Sequence, residues 1–114
     1  MQRDHLLVAE MNGAAERIVD LVGDRTPSEI STDDLRRDAM LWNFTVLGEA
    51  AAQVSEELKA DHADVSWSDP IRLRNRIVHG YWSIDMDVLV ATATEDLPGF
   101  AERLRAIETG FDEV

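Results

Sequence analysis

The residues best suited to chemistry lie between Arg74 and Tyr81. Within eight positions this stretch supplies the guanidiniums of Arg74 and Arg76, the amide of Asn75, the imidazole of His79 and the phenol of Tyr81. An imidazole can take a proton from a 2′-hydroxyl or give one to a departing oxygen, and a guanidinium can neutralise charge that develops on phosphorus. The stretch therefore contains the groups needed to cleave an RNA phosphodiester without a metal ion.

A structural explanation of the same residues stays open on composition alone. The arginines could pair with the many carboxylates of the chain, and His79 could close a helix end, where the helix dipole favours a cation. Geometry also separates the two groups, because five steps of about 100° put Arg74 and His79 about 140° apart on one ideal helix. A shared site would need the reach of a long arginine side chain, a distorted helix end or a second subunit.

The charge around this stretch is strongly negative. The chain has 23 acidic and 11 basic residues and a formal net charge of -12, yet residues 70–82 contain three arginines and no acidic residue. Phosphate neutralisation dominates non-specific duplex binding, so a chain of this charge is not expected to bind arbitrary nucleic acid tightly. A local phosphate site, or a short single-stranded RNA segment such as a tRNA loop, is compatible with the charge.

Other classes of site lack sequence support. His5, His62 and His79 are far apart and show no pairing at four-residue spacing, and the chain has no cysteine, no P-loop and no dinucleotide-binding glycine pattern. We therefore predict no metal and no cofactor. No apolar run approaches the about 20 residues of a membrane span, and the start of the chain lacks a signal-peptide core, which predicts a cytoplasmic protein without a membrane partner.

Apolar residues at three- and four-residue spacing predict four helices and no strand. Pro98 and Gly99 should interrupt or kink the last of them. A length of 114 residues fits one domain over residues 1–114. We predict an all-α fold, an antiparallel up-and-down bundle of four to five helices. The predicted helices are residues 4–22, 35–58, 70–79 and 85–108.

The second predicted helix should pack closely against another helix. Its apolar stripe includes Leu35 and Trp42, which are expected to face the core. Its small-residue segment begins at Gly48 and should let another helix approach closely. Glu49 in that segment is a candidate buried partner for one of the arginines of the 74–81 stretch. At the end of the third helix, Gly80 is suited to a left-handed cap.

Two tryptophans and three further arginines are secondary candidates. Trp67 and Trp82 could stack on bases, although such tryptophans are more often core or interface anchors. The arginines are candidates for RNA contact, with pairing to carboxylates as the favoured alternative. They are Arg36, Arg37 and Arg72.

The 74–81 stretch resembles the Arg-x4-His-x-Tyr motif of HEPN-domain ribonucleases, in particular the HepT-like toxins of the HepT/MntA type VII toxin–antitoxin class. The segment from Asn43 to Ala50, with Gly48-Glu49-Ala50, is similar to the family's second-helix signature. Trp67 and Ile84-Asp85 flank the motif in the expected places. The resemblance covers most of the chain and implies a HEPN-like bundle that forms a homodimer, with two motifs facing a shared cleft.

The resemblance also implies a role for each motif residue. Arg74 would stabilise the scissile phosphate and His79 would act as acid or base, while Asn75 and Arg76 would support the site or bind RNA. Cleavage would be metal-independent and leave a 2′,3′-cyclic phosphate. Tyr81, also in the site, matches the tyrosine to which an MntA-like nucleotidyltransferase antitoxin transfers AMP. The alternatives are a non-catalytic HEPN dimer that binds a nucleotide or a partner protein, and a purely structural adaptor.

Overall fold

A computed structural model describes residues 2–112, and within that range the backbone is helical with short connections and no strand. The predicted all-α fold is confirmed. A 3-10 turn covers Tyr81–Ser83, and a π-helical turn covers Thr92–Asp96. The α-helices are α1 (Gln2–Val22), α2 (Pro27–Ser31), α3 (Asp34–Gln53), α4 (Glu56–Asp61), α5 (Ser68–Gly80), α6 (Met86–Ala91) and α7 (Leu97–Asp112).

Four of these helices, α1, α3, α5 and α7, form the bundle. Helix α1 packs on α3 and α7, and α3 also packs on α5. Near one end of the bundle Asp4 of α1 binds Ser55, just after α3, and further along α1 the side chain of Arg17 donates to Asn43. The start of α1 thus contacts the end of α3, and a later part of α1 contacts an earlier part of α3. The two helices are therefore antiparallel.

Helices α5 and α7 continue the up-and-down order. The chain leaves α5 through the 3-10 turn and enters α6, which packs on α2 beside the start of α3, so the end of α5 lies at the start of α3. Helix α7 returns along α1, where Asn12 donates to Glu108 at 2.5 Å. The predicted antiparallel bundle is therefore confirmed.

A single apolar core joins α1, α2, α3, α5, α6 and α7. Full burial of a large apolar side chain such as valine, leucine or phenylalanine contributes about 1.5–3 kcal/mol to folding. Within residues 2–112, no helix is long and apolar enough to cross a membrane. The largest fully buried side chains are Val8, Met11, Ile18, Ile30, Met40, Phe44, Leu47, Leu89 and Leu104.

Helix α3 ends five residues before the predicted end at Leu58. Val54 leaves the helical region with ψ 140°, and the Ser55 N–H donates to Asp4 Oδ1 at 3.0 Å instead of continuing the helix. The Ser55 hydroxyl donates to Asp4 Oδ2 and also accepts from the Leu58 N–H, which caps the separate helix α4. A contact with the first helix, distant in sequence, therefore overrides the continuous apolar pattern.

The predicted apolar stripe of this helix is wrong at its start. Leu35 is 86% exposed and Trp42 is 64% exposed, whereas Met40, Phe44 and Leu47 are buried. Helix α3 packs on α1 and α5, and Leu35 and Trp42 lie on a face that these contacts leave exposed. Two large apolar side chains of α3 are thus left in solvent.

Two glycines at helix ends behave differently. Gly23 has φ 53° and ends α1 in the left-handed region, as expected of a glycine stop. The left-handed cap predicted at Gly80 is wrong, because its φ of -173° is extended. The Ser83 hydroxyl instead donates to the Gly80 carbonyl at 2.9 Å and closes the 3-10 turn. Helix α2 begins at Pro27, between the first two predicted helices.

The chain stays helical through Pro98, and its irregularity comes just before that residue. The Leu97 N–H donates to the Thr92 carbonyl, a five-residue spacing that defines a π-helical turn. Such a widened turn makes room where the proline ring would meet the carbonyl four residues earlier. The predicted break is therefore a local widening, and α7 continues to Asp112, past the predicted end near Glu108.

The buried carboxylate of Asp4 generates a prediction on stability. Burial raises the pKa of Asp4, but hydrogen bonds from the side chain and backbone of Ser55 and nearby positive charge, including Arg3, together lower the pKa below the ordinary 3.8. A lowered folded-state pKa stabilises the fold above pH 3.8, and this stabilisation is lost as the pH falls through the folded-state value. Asp4→Asn should lower the free energy of unfolding by about 1–3 kcal/mol at neutral pH.

Urea unfolding at neutral pH and well below pH 3.8 measures this difference, which should shrink in acid. Asp20→Asn, an exposed aspartate of the same helix, is the matched control and should change stability by less than about 0.5 kcal/mol. An Asp4→Asn difference that stays constant with pH would contradict the assigned role of the carboxylate.

Candidate active site

Helices α3 and α5 approach each other closely at Gly48. A Cβ atom built on Gly48 would lie 2.5 Å from the Pro70 carbonyl oxygen and would overlap the Cβ of Arg74. Those atoms belong to the α5 backbone or are attached directly to it, so α5 itself would have to move. The predicted close approach of a second helix is confirmed, and it fixes where the Arg74 side chain begins.

Arg74 is held by two neighbours. Its Nη1 donates to Glu49 Oε1 at 2.5 Å and its Nε donates to Asn75 Oδ1 at 2.8 Å. The Arg74 side chain is 17% exposed and that of Glu49 is 54% exposed, so the expected pairing exists but Glu49 is not buried. Among residues 2–112, nothing pairs with Arg74 Nη2, which leaves one nitrogen available to a phosphate oxygen.

His79 occupies the last turn of α5 and is exposed. In the part of the chain that the structure describes, its imidazole has no hydrogen bond or ion pair, with Arg74 or with any other residue. Arg74 points towards Glu49 on α3, whereas His79 lies free in solvent. One chain therefore supplies both groups on one helix without joining them into a single site.

Arg76 is the unpaired cation of the motif. It is exposed on α5 and makes no ion pair with any other residue between 2 and 112. The three secondary candidate arginines all pair with carboxylates, so the alternative favoured for them is confirmed. Their pairs are Arg36 with Asp33, Arg37 with Asp34 and Asp38, and Arg72 with Asp69.

Tyr81 lies in the 3-10 turn directly after α5 and is 62% exposed. Its ring meets that of Trp82 edge to face, with centroids 5.3 Å apart and an angle of 78° between the planes. The exposure of the ring leaves the phenol accessible to another protein.

The two tryptophans considered for base stacking differ in the structure. Trp67 is buried, and its Nε1 donates to the His62 carbonyl at 3.0 Å, so it is a core residue. Trp82 is 77% exposed. Of the two, Trp82 alone presents its ring to solvent.

The exposed position of Trp42 was not predicted from the sequence. Leu35, Trp42 and Glu49 recur at seven-residue spacing, which returns to the same helix face within about 20°. Glu49 was already a candidate partner of the motif arginines, so this spacing could have placed Trp42 on the same face of α3 as that pair. Val78 on α5 is also exposed. Trp42 precedes Glu49 on α3, and Val78 follows Arg74 on α5. Because the two helices are antiparallel, both residues are displaced from the Glu49–Arg74 pair in the same direction, towards the start of α3.

A cleft of about 500 Å³ lies elsewhere, between the first turns of α5 and the start of α7. Its walls include Leu73, Phe100 and the acidic Glu95 and Asp96, and none of the five motif residues lines it. Within the described range, no group of three histidine, aspartate or glutamate side chains is placed to hold a metal ion. The motif residues therefore lie outside this cleft.

Comparison with known proteins connects this surface to a family. A model of the family described as Ribonuclease HepT-like matches residues 11–107, which include α3, α5 and all five motif residues. Among solved structures, none matches the chain.

Two archaeal relatives are similar over most of their length. A protein of Thermococcus cleftensis named "Probable ribonuclease HepT" is 27% identical over 109 residues, covering 92% of this chain and 99% of the relative. A Methanocaldococcus jannaschii protein, named as a putative RNase, is 28% identical over 100 residues, covering 84% of this chain and 82% of the relative.

The close approach at Gly48 generates a prediction. Gly48→Ala should lower the free energy of unfolding by about 1–3 kcal/mol, because the new methyl group would overlap the α5 backbone. Urea unfolding followed by circular dichroism measures this loss.

Gly110→Ala is the matched control, since a Cβ at that helical glycine meets nothing within 4 Å. It should leave stability unchanged or raise it by up to about 1 kcal/mol, through the higher helix propensity of alanine. Equal stability of the two variants would show that α3 and α5 are not in such close contact.

Proposed function

Because the chain belongs to the HepT-like ribonuclease family, we propose that it is a metal-independent endoribonuclease with Arg74 and His79 as its catalytic residues. The observation that carries the proposal is the placement of Arg74. Its guanidinium is held by Glu49 and Asn75, keeps one nitrogen free, and lies on the same helix as the exposed His79. Such a fixed, partly paired guanidinium suits a group that must meet a phosphate at one defined place.

The proposed reaction is an internal transesterification of RNA. His79 accepts the proton of the 2′-hydroxyl, whose oxygen forms a bond to the adjacent phosphorus while the bond from phosphorus to the 5′-oxygen breaks. Arg74 stabilises the additional charge on the phosphoryl oxygens, and the departing 5′-oxygen takes up a proton. The products are a 2′,3′-cyclic phosphate and a 5′-hydroxyl.

We propose that the active unit is a homodimer. One α5 helix carries Arg74 and His79 about 140° apart, and no hydrogen bond joins them within residues 2–112. A second copy could bring its own His79 near the first copy's Arg74. The exposed Trp42 of α3 and Val78 of α5 supply apolar side chains for such a contact.

The substrate best suited to this surface is a short unpaired RNA segment, such as a tRNA loop. A net charge of -12 disfavours extended contact with a polyanion. Arg74 and the unpaired Arg76, doubled in a dimer, offer a small cationic area within the acidic surface. RNA is the proposed partner on that area, and the cytoplasm is the proposed location.

We further propose that the protein is a toxin restrained by an MntA-like nucleotidyltransferase antitoxin, which transfers AMP to Tyr81. In that step the phenol oxygen would bond to the α-phosphorus of ATP, pyrophosphate would leave and the phenolic proton would be released. The 62% exposure of Tyr81 supports access by such a partner. An AMP group two residues after His79 would also block the approach of RNA.

The central test is RNA cleavage in EDTA. Wild-type protein should cut unpaired RNA and leave cyclic phosphate ends, while Arg74→Ala and His79→Ala should each lower kcat/KM at least about 100-fold. Arg105→Ala is the control for loss of a positive charge, because Arg105 lies beside α1 and away from the motif. Retained activity in both motif variants would refute the assignment of the site.

A mixture of the two inactive variants tests the dimer. If Arg74 of one subunit works with His79 of the other, co-refolding should restore about a quarter of wild-type activity through mixed dimers with one intact site. Nucleotide binding by wild-type protein without any RNA cleavage would favour the non-catalytic alternative.

Modification of Tyr81 is a separate prediction. Incubation with the nucleotidyltransferase partner and ATP should add AMP to Tyr81, seen as an increase in intact mass, and should suppress cleavage. Tyr81→Phe lacks the acceptor oxygen, so its activity should be the same with and without the partner and ATP. An unmodified but fully inhibited complex would show that the partner acts by steric blocking.

A further inference from the structure

Trp82 stands out because it is a large aromatic side chain left in solvent. It is 77% exposed, whereas Trp67 at the other end of α5 is buried and hydrogen bonded. A tryptophan gains most from burial among the common side chains, so an exposed one beside a proposed active site is suited to binding a ligand.

The ring of Trp82 is presented by an ordered turn. The Ile84 N–H donates to the Tyr81 carbonyl at 3.3 Å, and the Ser83 hydroxyl donates to the Gly80 carbonyl. Ile84 packs against the core and anchors the end of the turn. The position of Trp82 is therefore fixed by the end of α5 on one side and by the core contact of Ile84 on the other.

The pairing with Tyr81 leaves room for a flat ligand. In an edge-to-face pair, Tyr81 can cover at most one face of the indole. The other face is large enough to stack on a nucleobase. Trp82 also follows His79 by only three residues, so a base on the indole would lie close to the imidazole that acts on the phosphodiester.

The charge of the chain favours this mode of binding. At a net charge of -12, phosphate contacts give limited affinity, and Arg74 is already paired with Glu49. Stacking of a base on an aromatic ring is uncharged and therefore does not suffer from the acidic surface. Stacking on the ring also requires a base that is neither paired nor stacked with other bases, as in an unpaired segment.

We propose that Trp82 is a specificity-determining residue that stacks on the base of a nucleotide next to the cleaved phosphodiester. This inference rests on the proposed ribonuclease function. It assigns to Trp82 the choice of where an unpaired RNA is cut, a role separate from the chemical steps of Arg74 and His79.

The test uses an unpaired RNA oligonucleotide with one mapped cleavage site, and a set of the same oligonucleotide with a single abasic nucleotide at each nearby position. Trp82→Leu should lower kcat/KM about tenfold or more, and Trp82→Phe, which keeps an aromatic ring, should recover most of the loss. In wild-type protein one abasic position should cause a similar loss. In Trp82→Leu, that same abasic position should cause no further loss.

Two results would overturn the proposal. In the first, abasic losses and the Trp82→Leu loss simply multiply at every position. In the second, Trp82→Leu reduces activity only in proportion to a loss of dimer measured by light scattering, which would make Trp82 an interface residue. Circular dichroism of each variant checks that the exposed substitution leaves the helices intact.

A failure of the proposed function is distinguishable from a failure of the stacking. If wild-type protein cleaves no RNA, the ribonuclease proposal fails. Fluorescence anisotropy of a labelled unpaired RNA then tests the stacking proposal by binding alone. Wild-type protein should bind that RNA about tenfold more tightly than Trp82→Leu. Equal affinities would overturn the stacking proposal.

Discussion

Helices α3 and α5 meet at Gly48 with no side chain between their backbones, and the arrangement of the candidate site depends on that contact. The approach brings the Cβ of Arg74 against α3 and sets its guanidinium beside Glu49. A longer separation would move both the arginine and everything that follows it on α5, including His79 and the 3-10 turn. The geometry of the motif is thus set by a residue that has no side chain of its own.

Local signals in the sequence predict a large part of this fold. Helix starts at Asp33 and Asp85 follow from carboxylates that accept backbone N–H groups at the first turn, and both caps are present. The motif residues also lie where the sequence places them, on a short helix and the turn after it. Such features need only a few neighbouring residues, so a single chain read in order is enough to find them.

The errors arise where distant residues decide the structure. Ser55 ends α3 because Asp4, 51 positions away, takes its N–H and hydroxyl. Trp42 fits an apolar helical stripe, yet α3 turns its other sides to α1 and α5 and leaves the indole in solvent. Periodicity shows which residues share a face, but the neighbours of that face come from the topology. The pairing of Arg74 with Glu49 was expected, whereas the exposure of Glu49 was not.

The Glu49–Arg74 pair also explains how an acidic chain could recognise a phosphate. An unpaired arginine among so many carboxylates would sample several partners, and ordering it would cost side-chain entropy when RNA binds. Pairing with Glu49 and Asn75 removes that freedom beforehand, although Glu49 also offsets part of the positive charge. The remaining nitrogen then serves more to orient a phosphate than to attract it. Affinity must come from other contacts, and the exposed ring of Trp82 can supply binding energy that the acidic surface does not weaken.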